Sequence, residues 1–152
     1  MTCRALHTLC LICVLLLLTA CGEETPTISA QRGSPDAAAI EFFHALYNDK
    51  DLDNAKTLCT DEYAALLESY GTAKQVSRVL MNMSYDQVDI VVNPGGRNVR
   101  QQYGDEASIS LVFSGTLHSK QIEEMRTVEL LKQSGRWKIN AVKADKFSSS
   151  VR

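Results

Sequence analysis

At Ser84 the hydrophobic period of the chain changes from that of a helix to that of a strand, and no other feature restricts the fold as much. Before Ser84, Ala39, Ile40, Phe43, Leu46 and Tyr47 fall on one side of a helix, with Ala37, Ala38 and Phe42 widening the stripe. Ser34-Pro35-Asp36 opens that helix with a capping hydroxyl, a proline suited to the first helical position and an acid at the positive end. Asn48 to Asp51 breaks the stripe. Leu52, Ala55, Leu58 and Cys59 predict a second short helix. Thr60 caps a third, in which Tyr63, Leu66, Leu67 and Tyr70 share a face, and Gly71 stops it. Ala73, Val76, Val79, Leu80 and Met83 predict a fourth.

Beyond Ser84 the period is two. Val88, Ile90 and Val92 alternate, and Asn93-Pro94-Gly95-Gly96 signals a turn. Ala107, Ile109, Leu111, Phe113, Gly115 and Leu117 alternate with Ser108, Ser110, Val112, Ser114 and Thr116, a half-buried strand. A third strand runs from about Glu123 to Lys132 and a fourth from about Arg136 to Ala144, joined at Ser134-Gly135. A two-residue loop there pairs Lys132 with Trp137, Leu130 with Ile139 and Val128 with Ala141, and sets Glu129 against Asn140 on the other face. Trp137, Ile139, Leu130 and Val128 then face the core, with Arg126 next along. His118-Ser119-Lys120 reads as a loop. Helices first and then three to four antiparallel strands mean an α+β fold, the amino-terminal helices packed on one face of the sheet.

The element order, the length and the ending Val128-Glu129-Leu130-Leu131-Lys132-Gln133-Ser134-Gly135-Arg136-Trp137-Lys138-Ile139 resemble the nuclear-transport-factor-2-like superfamily, over about residues 34–146. More narrowly, the chain resembles small bacterial lipoproteins related to lumazine-binding-like domains. The resemblance implies a curved, cone-like sheet wrapped around the helices, often with a conical cavity and often dimeric. The superfamily includes isomerases, dehydratases and binding modules, so fold does not settle function.

The amino terminus has its own pattern. Arg4 is the only formal charge in residues 1–20, and an unbroken apolar run extends from Leu9 to Leu18. Ten residues of helix span about 15 Å, half of a hydrocarbon core of roughly 30 Å, which suits a signal peptide and not a membrane span. Leu18-Thr19-Ala20-Cys21-Gly22 resembles the lipobox of bacterial lipoproteins. It implies a signal peptide over 1–20, cleavage after Ala20, and lipid (palmitate among the acyl groups) on Cys21. Two or three chains on one residue would anchor durably where a single chain holds only weakly. Gly22, and not Asp, follows the Cys, which in the resembled Gram-negative system favours the outer membrane, facing the periplasm. Residues 21–33 are polar and aperiodic and read as a tether, about 20 Å end to end. Residues 147–152 read as a disordered tail.

Of five cysteines, Cys3, Cys10 and Cys13 lie in the signal segment and Cys21 takes lipid, so Cys59 stands alone. It reads as a small buried residue, with no internal disulfide and no multi-cysteine metal site. A net charge of −2 argues against nucleic acid. No GxSxG, Walker A or GxGxxG string is present, and His44 and His118 show no ligand-pair spacing, so no metal or cofactor is expected. The candidate cavity residues are His44, Tyr47, Tyr63, Tyr70 and Arg126, with Glu124 near a rim. Asp89 and Glu129 fall opposite the apolar alternation, which leaves the cone without a well-placed carboxylate. The chain therefore reads as a non-enzymatic, membrane-anchored binding or scaffold module for a small ligand, wall component or protein partner. The alternative is a cavity enzyme of isomerase or dehydratase type using His44 and a tyrosine. The hydroxyl-rich outer face around Val112 is a candidate homodimer surface.

Overall fold

The computed structural model describes residues 33–94 and 100–144; Cys21, the signal segment, nearly all of the tether, Gly95-Gly96 and the 147–152 tail lie outside the described residues. Local capping lays down the helical half. Ser34 accepts a hydrogen bond from the Ala37 N–H at 3.1 Å, and Pro35 opens helix α1 (Pro35–His44). Helix α1 runs directly into a π turn, Ala45–Asp49, which ends at Lys50 in the left-handed conformation (φ 57°). Asp51 caps α2 (Leu52–Thr57) and Thr60 caps α3 (Asp61–Ser69). Thr72 caps a short α4 (Ala73–Gln75), which continues as a second π turn, Val76–Leu80. Each π turn adds a residue to the helical path and rotates the side chains beyond it, which strict 3.6-residue spacing does not anticipate.

The strands are β1 (Gln87–Val92), β2 (Arg100–Tyr103), β3 (Glu106–Leu117), β4 (Lys120–Gln133) and β5 (Arg136–Ala144). All pair antiparallel in the order β1-β3-β4-β5, with β2 sharing one edge of β3 with β1. The core lies between the helices and the inner sheet face. Phe43 meets Phe113 edge-on at 4.7 Å and Phe42 at 4.9 Å, and all three rings are fully buried. Ile109, Leu111, Val128, Leu130 and Ile139 complete the inner face, as the alternation predicts. Burial of each large side chain contributes about 1.5–3 kcal/mol.

The structure departs from the sequence expectations in three places. Among the described residues the sheet has five strands, not three or four, because β2 is polar and joins the sheet only by pairing Arg100–Tyr103 with Glu106–Ile109. The expected loop at His118-Ser119-Lys120 is a tight two-residue turn: His118 and Ser119 both have positive φ (49° and 65°), and Lys120 already pairs with Leu117 in β4. The β4–β5 register holds at Lys132–Trp137 and Leu130–Ile139 and then slips by one, so that Glu129 pairs with Ala141 and Val128 with Val142. The extra residue is a bulge in β5 beside Ile139. At that point the chain between α2 and α3 docks on the edge of β5: Ile139 donates to Leu58 O at 2.8 Å and accepts from Thr60 N at 2.9 Å. The turn sets register nearby, and this docking accompanies the change farther along.

Candidate functional site

The two π turns border one cleft of about 520 Å³. Leu46 and Tyr47 of the first line it together with Ser77 and Arg78 of the second. Lys50, Lys74, the segment Ser84-Tyr85-Asp86 and Leu117-His118 at the β3–β4 turn complete the wall. π turns inside helices are often found at functional sites.

Two tyrosines form the floor. Tyr47 and Tyr85 pack edge to face, ring centroids 5.5 Å apart. Tyr47 is 5% exposed, and both hydroxyls are buried without a hydrogen-bond partner. Ser77 is close enough to pull the Tyr47 pKa down a little, yet it does not meet hydrogen-bond geometry. Burial dominates and holds both phenols well above their ordinary pKa; for Tyr85 the Glu124 carboxylate adds to the rise and Arg126 opposes it. A buried hydroxyl left unpaired costs about 1–3 kcal/mol.

The strands fix this floor from below. Glu124, Arg126 and Val128 alternate onto the inner face of β4. Arg126 is buried and donates to Met125 O at 2.8 Å, Met81 O at 3.4 Å and Glu124 Oε2 at 2.9 Å. A guanidinium so enclosed needs these partners to offset its desolvation, and the ion pair leaves it neutralised. Gly115 of β3 lies under Tyr85: a Cβ there would be 2.7 Å from Tyr85 Cδ1 and 2.5 Å from Gln87 O. Only glycine lets the tyrosine ring and the β1 backbone approach so closely.

The rim is charged. Lys50, Lys74, Arg78 and His118 are exposed there, with Asp86 the only carboxylate among the described lining residues. Asp86 Oδ2 accepts the His118 backbone N–H at 2.7 Å, which braces the left-handed turn. Two consecutive non-glycine residues at positive φ are uncommon, and such strain clusters at functional sites.

Of the five candidate cavity residues, Tyr47 and Arg126 come together here. His44 does not: it is exposed, its Nδ1 lies 3.2 Å from Asp49 Oδ2, and it opens on a neighbouring polar groove of about 640 Å³ with Asn48, Gln87 and Gln121, which shares Lys50 and Asp86 with the cleft. Tyr63 is buried with Phe42 at 6.4 Å and lies beside Cys59; burial raises its pKa, with the Val142 backbone amide opposing. Tyr70, half-buried at the end of α3, neighbours Tyr63 rather than Tyr47. Cys59 is free and buried, its Sγ 3.3 Å from Ala55 O, and burial pushes the thiol up to about 12.

Sequence reasoning missed Tyr85, Ser77 and the lysine rim, and it placed Glu124 at an edge. A signal for Glu124 existed, since it shares the parity of Arg126, Val128 and Leu130. The expectation that Asp89 and Glu129 avoid the interior agrees with their positions: Asp89 is exposed, and Glu129 pairs with Lys143 across the hairpin. Among the described residues no group of three or more His, Cys, Asp or Glu could hold a metal ion, and no helix is long and apolar enough to cross a membrane.

No protein-family model and no curated protein matches the chain. Among solved structures, a variant of the protein titled Rd1NTF2_05 matches with a TM-score of 0.51 and 11% identity, over 72% of this chain and 95% of its own length. That likeness concerns fold alone. The chain has a nuclear-transport-factor-2-like fold: helices against a curved, open antiparallel sheet.

Proposed function

We propose that this chain is a lipid-anchored bacterial envelope domain that binds a ligand or partner and neither makes nor breaks a bond. The packed interior carries the binding half of this reading. Phe42, Phe43 and Phe113 are fully buried and Trp137 is 6% exposed, so the cone is occupied by its own aromatic rings. Acid–base catalysis needs a polar chamber in which a catalytic group reaches the substrate. Buried Arg126 and half-buried Glu124 are already committed to each other. His44 and Tyr47, the pair an isomerase or dehydratase would use, open on different concavities. A ligand takes the cleft between the π turns, the concavity whose lining includes both Tyr47 and Tyr85.

The anchoring half rests on Leu18-Thr19-Ala20-Cys21-Gly22. Several acyl chains on Cys21, each methylene contributing about 0.8 kcal/mol, would hold the domain at a membrane, and Gly22 favours the outer one, facing the periplasm. A homodimer across the outer sheet face belongs to the same reading. That face carries Val91, 44% exposed, beside half-buried Val112 and Met125. A monomeric mass by light scattering at high concentration would remove the dimer.

The deciding experiment is metabolic labelling with a palmitate analogue in a bacterial host. The wild-type chain should carry label and Cys21→Ser should not. Label on the serine variant, or an intact Met1 in the mature protein, defeats the anchor.

A further inference from the structure

We propose that the cleft between the two π turns is a binding site for a small organic anion with an apolar body, an aryl-alkyl or short acyl carboxylate. The proposal deepens the binding reading above and rests on it. Four independent features of the cleft meet in this ligand class.

The first is a pair of uncommitted donors. The Tyr47 and Tyr85 hydroxyls are buried at the floor with no hydrogen-bond partner. A chain that only needed to fold would gain by carrying phenylalanine at such places, because an unpaired buried hydroxyl is a standing cost. Burial keeps both phenols protonated well into the alkaline range, so each has an O–H to give to an anionic oxygen that displaces the side chains now covering it. Hydrogen bonds to a charged acceptor are the stronger kind.

The second is charge. The chain as a whole carries −2, yet the lining of this cleft holds Lys50, Lys74 and Arg78 against Asp86 alone. Asp86 is already engaged by the His118 N–H. The local excess of positive charge in an acidic protein selects the sign of the ligand and speeds its approach. The third is apolar lining: half-buried Leu117 and the Tyr85 ring face the cleft below the cations, backed by nearly covered Leu46 and Tyr47. A bare inorganic anion would leave that lining in water. The volume of about 520 Å³ falls in the range of small-molecule sites, roughly 300–1,000 Å³.

The fourth is backbone. Both irregular helical segments, Ala45–Asp49 and Val76–Leu80, contribute to this one cleft, as does the left-handed turn at His118-Ser119. Regular helices would carry Tyr47 and Ser77 elsewhere.

The test uses the full chain in a neutral detergent and titration calorimetry with 4-phenylbutyrate, octanoate, 4-phenylbutyramide and inorganic phosphate. At least one of the carboxylates should bind saturably, and the tighter one identifies the body as aryl or acyl. The neutral amide and phosphate should bind about tenfold more weakly or not at all. Lys74→Glu and Arg78→Glu, both at exposed positions, should each weaken the carboxylate about fivefold, with the effect shrinking in high salt. Tyr47→Phe should weaken it about threefold to tenfold while leaving the melting temperature unchanged or raised. Absence of saturable carboxylate binding, an amide that binds equally well, or affinity indifferent to both charge reversals and to Tyr47→Phe would each overturn the proposal. Recovery of the probe chemically unaltered supports the non-enzymatic reading as well. A transformed probe whose binding still depends on Lys74 and Tyr47 would sink that reading and leave this site standing.

Discussion

Gly115 shows how much one position can decide. It occupies an inward place in the β3 alternation, where a large apolar residue is the ordinary choice, yet a single added carbon would lie within 3 Å of both the Tyr85 ring and the Gln87 carbonyl. Gly115→Ala should therefore cost about 1–3 kcal/mol through overpacking, read as a lower urea midpoint. An unchanged midpoint would mean that Tyr85 does not rest on this glycine. The alternation that contains Gly115 was plain in the sequence, but the reason for glycine was not. Tyr85 is thirty residues away along the chain, and the contact exists only when β1 pairs with β3. Tyr47 is a related case: the helical stripe predicts its burial, and nothing local says that its hydroxyl goes without a partner.

At the scale of elements, Thr60 joins Leu58 in tying the corner between α2 and α3 to β5. The Thr60 side chain accepts the Tyr63 N–H at 3.4 Å as a helix cap and donates to Asn140 Oδ1 at 3.4 Å, while its own N–H reaches Ile139 O. Thr60→Ala should cost about 1–2 kcal/mol, the loss of a buried cap. Combined with Asn140→Ala in a double-mutant cycle, the two costs should fall short of additive, because the residues share a bond. Strict additivity would show that helix and strand are stabilised separately. The cap was legible as Thr60 before an apolar run. The tie was not, and neither was the bulge it sits beside, since register beyond the Ser134-Gly135 turn depends on what lies against the strand. β2 escaped for the same reason: Arg100–Tyr103 has no apolar alternation and is a strand only because β3 offers an edge.

At the scale of the whole molecule, the buried acids set a direction for alkaline stability. Burial raises Cys59 from 9.0 to about 12 and raises Tyr47, Tyr63 and Tyr85 as well. Each keeps its proton in the folded chain at a pH where the unfolded chain has released it. Their contribution is thus complete below the unfolded values and is lost as pH climbs, for Cys59 between about 9 and 12. The urea midpoint should fall steadily from pH 9 upward, and Cys59→Ala should flatten part of that fall. A midpoint constant from pH 8 to 11 would contradict the burial of these groups.

Taken alone, the sequence determined the α+β class, the two periods, the helix starts, the inward set on the long strands and the pairing next to the tight turn. These follow from rules that act within a few residues: capping, alternation and turn chemistry. It also carries the five-residue pattern at Cys21, which is read as sequence and not as shape. Only the tertiary structure decided which polar groups meet. It brought Tyr47, Ser77, Tyr85, Glu124 and Arg126 together, sent His44 to the surface and set the lysines around one cleft. The physical reason is that a polar side chain's neighbours come from elements far apart in the chain. Two π turns and one bulge, each a shift of a single residue, rotate those neighbours in or out, and no local periodicity records them.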